Sequence, residues 1–201
     1  MPTFQTATTG AAPARGSLER SSDHDLARAA GKDGAAFSEL YRRHFRHVYG
    51  YHLLRTGNVD DAQDLTSQTF IAALESIHRF DGRGSFAAWL MGIAHHKMAS
   101  HYRRKRPEAD LEAGENLPNP HHSLEEIAYH HGLMRRVQQA LRRLAPDRAE
   151  SFSLRVFGGL SAAETAEVLG KTEGAVKMLV HRAVKDLRAL LDVDFHQVEE
   201  A

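Results

Sequence analysis

The stretch "LSAAETAEVLGKTEGAVKMLVHRAVKDLR", residues 160–188, decides the fold. Ser161 stands where it can cap a short helix, and Glu164 follows three residues later in the spacing of a capping box. Ala166 is small where two helices must cross closely. Gly170 falls where the chain must turn, and there a positive φ costs glycine little. Thr172 can cap the next helix, in which Val176, Val180, Ala183, Leu187 and Leu190 recur at steps of 4, 3, 4 and 3. That stripe buries one face and leaves Lys177, His181, Arg182, Lys185 and Arg188 to solvent. A short helix bracing a second helix with a basic outer face is a helix-turn-helix, built to lay the second helix in the DNA major groove. Backbone amides at the helix N-termini can add phosphate contacts. The plainer alternative is a helical hairpin with a solvated basic face; caps, glycine and charge together favour DNA.

Helical spacing continues outward from this motif. Nowhere do Val, Ile and aromatic residues alternate with polar ones over a strand's length, so the expected class is all-α. A short helix is expected from Asp23 to about Ala30. A second carries Phe37, Leu40, Tyr41, Phe45 and Val48, and ends near "TGN". A third starts after Asn58 with Phe70, Ala73, Leu74 and Ile77 on one face. "FDGRGS" is a loop, and Ser85 can cap a fourth helix with Phe86, Trp89, Leu90, Ile93 and Ala94, Trp89 being expected in the core. Pro107, Gly114, Pro118 and Pro120 break the next stretch. Ser123 opens a second block with helices to about Leu144, from Pro146 to Phe157, from Ser161 to Leu169 and from Thr172 to about Leu191. The expected layout is a disordered tail over 1–22, a helical domain over 23–106, a flexible linker over 107–123, a second helical domain over 124–191 and a frayed tail over 192–201.

Charge is segregated along this layout although 26 basic and 26 acidic residues balance overall. Residues 107–126 hold six acids and no Lys or Arg, whereas 133–191 hold eleven Lys/Arg against six acids. "HYRRKR" gathers Arg103, Arg104, Lys105 and Arg106. Two basic lobes on an acidic strap suit a polyanionic partner. The absence of cysteine excludes disulfides, thiolate zinc sites and a cysteine nucleophile. No apolar run approaches the roughly 20 residues that span a bilayer, so a soluble, cytoplasmic protein without direct membrane insertion is expected.

With these motifs placed, the chain resembles an extracytoplasmic-function (ECF) sigma factor of the sigma-70 family, which directs bacterial RNA polymerase to promoters. "DDAQDLTSQTFIAALESIHRFDGRGSFAAWLMGIAHHKMASHYRRKR" resembles the family's region 2, and "LAPDRAESFSLRVFGGLSAAETAEVLGKTEGAVKMLVHRAVKDLRALL" its region 4. The resemblance implies that Asp61, Gln63, Asp64, Leu65, Gln68 and Phe70 belong to a helix that docks on core RNA polymerase, on a basic coiled coil of β′. Acids in a first turn also favour the helix dipole by ~0.3–1 kcal/mol each. The loop carrying Phe80, Asp81, Gly82, Arg83 and Ser85 is implied to receive a base flipped from the promoter −10 element. His96, Lys97, His101, Arg103 and Arg104 are implied to meet the phosphates of the melted strand. Thr172, Glu173, Lys177, His181, Arg182 and Lys185 would read the −35 duplex. Partners implied are core RNA polymerase (β′ and β), promoter DNA and an anti-sigma factor; no cofactor, metal or catalytic residue is implied. Three departures from the family's usual residues stand out: Gln63 and Gln68 in place of Glu, His95-His96 in place of an Arg-Asn pair, and Met178-Leu179 in place of Ser-Arg.

Two other readings compete. Asp60, Asp61 and Asp64 spell D-D-x-x-D, the magnesium signature of prenyl synthases, but such a site needs a facing carboxylate cluster across a large helical cavity. The other acid-rich stretch here is broken by prolines. The His pairs 95-96, 121-122 and 130-131 are adjacent residues, which point about 100° apart on a helix and do not converge on one metal. A stand-alone helix-turn-helix regulator would account for 124–191 and leave 58–106 unexplained.

Overall fold

Polar side chains set the helix starts. Ser22 Oγ accepts from the Asp25 amide at 3.1 Å and opens α1 (Asp23–Ala30). The Asp33 carboxylate accepts from the Ala35 amide at 2.9 Å and opens α2 (Gly34–Thr56), which Gly57 ends at φ 69°. Asn58 Oδ1 takes the Asp61 amide at 3.0 Å and opens α3 (Val59–Ser76), which runs into a 3-10 turn over Ile77–Arg79. Ser85 Oγ accepts from the Ala88 amide at 3.1 Å at the head of α4 (Phe86–Lys105). The second block holds α5 (Leu124–Arg142), α6 (Pro146–Val156), α7 (Ala162–Leu169) and α8 (Glu173–Leu191). The structure, a computed structural model, describes residues 18–105 and 124–191. Every regular element among them is helical, as the spacing predicts, and none of these helices is long and apolar enough to cross a membrane.

The expected linker and C-terminal tail lie outside the described residues, as do residues 1–17. Residues 18–22 do not behave as the expected tail. Leu18 packs on the first core, and the Arg43 guanidinium donates to the carbonyls of Leu18, Glu19 and Ser21 at 2.9–3.0 Å. Arg43 also pairs with Asp23 and Glu39 at 2.7 Å, so a single half-buried cation ties this segment to α1 and α2.

Leu26, Leu40, Val48, Tyr51, Leu65, Phe70 and Met98 form the first core, where α1 to α4 meet. Burying a side chain of this size is worth about 1.5–3 kcal/mol. Leu154 and Leu160, from the second block, are fully enclosed in the same core, and Val168 and Leu169 lean on it. Leu54 of α2 in turn enters the core of Leu141, Leu144, Ala183, Leu187 and Leu191. The two blocks are therefore packed together, a contact that their separate helical patterns did not signal.

Candidate polymerase and nucleic-acid surfaces

On α3, the buried residues are Ala62, Leu65, Thr66, Thr69, Phe70 and Ala73. The opposite stripe is Asp60, Gln63, Asp64, Ser67, Ile71, Leu74 and Glu75, all exposed. Asp64 accepts from Gln68 Nε2 at 2.7 Å, one turn along, and the Asp61 carboxylate lies 3.7 Å from His101 Nε2. The side chains of Leu65 and Phe70, expected on the docking face, are 1% and 5% exposed, so they hold the helix from behind. Leu74 is the reverse case: expected inside, it is 46% exposed, beside Ile71 at 57%. Ile71 was missed as a surface residue although it stands four and seven places beyond Ser67 and Asp64, a helical spacing that could have found it. The face thus combines acids with two large apolar side chains.

In the loop before α4, Asp81 grips Arg83 twice, at the backbone amide (2.9 Å) and at Nε (2.7 Å). The amide bond and then the side-chain bond hold the Asp81 carboxyl below its ordinary range. Gly82 and Gly84 adopt φ 77° and 78°, and a Cβ at Gly82 would lie 1.9 Å from His24 Nε2. Phe80 is half-buried in an aromatic knot with His24, Phe86 and Trp89, ring centroids 5.5–5.9 Å apart. Trp89 is half-buried against the core, as expected. Along α4, His96, Arg103 and Arg104 are exposed, Lys97 is half-buried, and Arg103 also donates to Ser100 Oγ. His101 differs from its expected place on the phosphate face: its side chain is 12% exposed and turns inward toward Asp61 on α3.

Around the helix-turn-helix, the predicted capping box is formed, with Ser161 Oγ taking the Glu164 amide and the Glu164 carboxylate taking the Ser161 amide. Gly170 turns at φ 60°, and Thr172 Oγ1 caps α8 through the Ala175 amide. Thr172, Glu173, Lys177, His181, Arg182 and Lys185 are all exposed. Lys177 is engaged by Glu173 at 2.6 Å, and Lys171 by Asp147 at 2.9 Å.

A carboxylate joins the blocks. Glu150 of α6 accepts from Tyr51 Oη at 2.5 Å and meets His95 Nδ1 at 2.9 Å and an Arg55 nitrogen at 3.1 Å. Burial alone would raise its pKa; His95, Arg55 and Tyr51 together outweigh burial and hold it below the ordinary value. Burial and the neighbouring carboxylate push the Tyr51 hydroxyl well up, so it stays a donor. Tyr102 closes the outer side, donating to the Arg55 carbonyl while its ring lies 5.5 Å from the guanidinium. Ser85, at the end of the glycine loop, also donates to Glu164 of α7, and Gly84 approaches the Glu167 carboxylate. The first helix of the helix-turn-helix therefore covers one end of the loop. Among the described residues no group of three or more His, Asp or Glu side chains is placed to hold a metal, Asp60, Asp61 and Asp64 included.

Comparison with known proteins finds two family models along this chain. The family model of Sigma-70 region 2 matches residues 40–108, and that of Sigma-70 region 4 matches residues 134–187. The ECF RNA polymerase sigma factor BldN of Streptomyces coelicolor is 40% identical over 174 residues, covering 83% of this chain and 64% of BldN. This chain thus matches just under two thirds of that longer relative. RNA polymerase sigma factor YlaC of Bacillus subtilis is 30% identical over 156 residues, 76% of this chain and 90% of YlaC. Among solved structures, CnrH in complex with the cytosolic domain of CnrY superposes with a TM-score of 0.67 at 29% identity, over 86% of this chain and 98% of CnrH. The helix-turn-helix, the acid-headed α3 and the glycine loop are thus parts of one known architecture, and the chain belongs to the ECF RNA polymerase sigma factors of the sigma-70 family.

Proposed function

We propose that this chain docks on core RNA polymerase through the outer stripe of α3, receives the melted −10 strand at the loop 80–85 and the basic end of α4, and reads the −35 duplex with α8. The observation that carries the reading is the α3 stripe. Asp60, Gln63 and Asp64 are exposed in line with Ile71 and Leu74, which gives a basic coiled coil both charge and apolar area to bind. A free-standing DNA-binding regulator would have no use for such a face. The chemistry of RNA synthesis belongs to the polymerase, so no catalytic group is assigned here. A factor of this kind works in the cytoplasm, where polymerase and chromosome meet.

The same surfaces suit a restraining partner. The similar CnrH is held by the cytosolic domain of CnrY, and an anti-sigma factor covering the α3 stripe would exclude polymerase from it. The contact of α7 with Ser85 also has to give way before the loop can take a base. Reconstitution with core polymerase followed by run-off transcription tests the function. Expected is co-elution with core and transcripts that start at defined promoters; tight duplex binding with neither result would make the chain a stand-alone regulator instead.

A further inference from the structure

The outward face of α8 is not uniformly basic. At about 100° per residue, Gly174, Met178, His181 and Lys185 fall on one stripe, opposite the buried Val176, Ala183 and Leu187. Met178 is 51% exposed at the middle of that stripe. One turn earlier, nothing lies within 4 Å of where a Cβ on Gly174 would stand, so the helix surface beside Met178 is bare backbone. Ala175 is exposed and Leu179 half-exposed, and both join Met178 in lining the concavity between α8 and the start of α6. Cations edge this apolar ledge: Arg182 on one side and Lys171, bonded to Asp147, on the other. Lys177 is turned aside by Glu173.

A face of this kind makes a different demand on DNA from a forked arginine. Cations at the rim suit phosphates, which position a helix without reading sequence. The centre offers methyl groups and a thioether, at most a weak acceptor, which are poor partners for the donors and acceptors of guanine, adenine or cytosine edges. The major-groove edge of one base carries an apolar group, the C5-methyl of thymine. We propose that Met178 is a specificity-determining residue that packs on a thymine methyl in the upstream promoter element. Ala175 and Gly174 leave the space for that methyl, while His181, Arg182 and Lys185 hold the flanking backbone. The proposal rests on the reading of α8 as the −35 helix of a sigma factor.

The test uses holoenzyme reconstituted from the full chain and core polymerase. Upstream elements are selected from a random duplex library, and each thymine in the selected element is then replaced singly by deoxyuridine, which removes the methyl and keeps the base pair. Expected is one position at which the change weakens wild-type binding about three- to fivefold, the scale of one buried methyl group. Holoenzyme carrying Met178→Ala or Met178→Gln should bind thymine and uracil equally at that position and keep the wild-type response elsewhere. Met178 is exposed, so both variants should melt with the wild type. The proposal is overturned if no uracil substitution matters to the wild type, if the variants respond as the wild type does, or if the selected elements contain no thymine. Failure to bind or transcribe any selected duplex would instead remove the sigma-factor reading on which the proposal rests.

Discussion

His52 gives the clearest residue-scale consequence. It is fully buried, and its Nε2 lies 3.1 Å from Thr69 Oγ1. Thr69 spends its own proton on the Leu65 carbonyl at 2.7 Å, so the imidazole must donate through Nε2. Nδ1 is then buried with no partner, and a second proton there would have no acceptor. Burial first, and the nearby His101 second, lower the His52 pKa from 6.5 to about 3, against a smaller opposing pull from Glu150. The unfolded chain therefore binds a proton that the folded chain refuses. The associated stability is present above pH 6.5 and is lost as pH falls toward about 3, at a slope approaching 1.4 kcal/mol per pH unit for this one group. Urea midpoints measured across that window should fall with pH. His52→Gln, which keeps a donor for Thr69 and cannot titrate, should flatten the profile above the ordinary carboxylate range. An unflattened profile would place the titrating group elsewhere.

At the scale of the element, α3 and α7 each support a prediction. The α3 stripe predicts that Asp64→Arg combined with Ile71→Ala weakens core polymerase binding by roughly tenfold or more, with melting unchanged because both side chains face solvent. Pull-down titration against thermal melting separates the two effects, and equal binding by the variant would remove this face from the docking model. On α7, Glu164→Ala loses half of the capping box and should cost about 0.3–1.5 kcal/mol, whereas Glu164→Gln retains the capping pattern and should cost less. Equal losses by urea titration would mean that the carboxylate's bond to Ser85, which the box does not require, is the larger contribution. These elements were legible because their causes are local. Ser161, Glu164, Gly170 and Thr172 act within a few residues of themselves, so caps and turns could be read from spacing alone. Leu65, Leu74 and His101 were misplaced because their exposure depends on neighbours from other helices. Leu74 fits an apolar stripe as well as Ala73 does, and it is the position of α2 and α4 around α3 that leaves it outside. The residues proposed for the −10 and −35 elements were legible only as positions on a helix or loop, whereas the engagement of Lys177 with Glu173, Arg83 with Asp81 and His101 with Asp61 is set by geometry.

On the scale of the whole molecule, Glu150 is the residue that the pattern of either block could not have singled out. It reads as one charged position on a short helix, yet it collects Tyr51 and Arg55 from α2 and His95 from α4. Removing a partner from such a buried ionic cluster typically costs about 3–5 kcal/mol, because the remaining charges are left without compensation. In Glu150→Ala, Arg55 and His95 would face a void across the contact between the blocks, so the loss falls mainly on their docking. The chain has no cysteine, and Ser38→Cys with Ala189→Cys would place two dyes on exposed positions of α2 and α8. Expected is a single compact distance with Glu150 in place, and an added population at longer distance in Glu150→Ala. The covering of Ser85 by α7 makes a second readout available. A site that is open for only a fraction of the time binds with its affinity reduced by that fraction. Free Glu150→Ala protein should therefore bind a single-stranded −10 oligonucleotide more tightly than free wild type, by about tenfold if roughly one wild-type molecule in ten is open. If docking on polymerase opens the same contact, the substitution should leave −10 affinity unchanged in holoenzyme. Tighter binding in both contexts would mean that Glu150 acts on the loop itself; tighter binding in the free chain alone would assign it to closure.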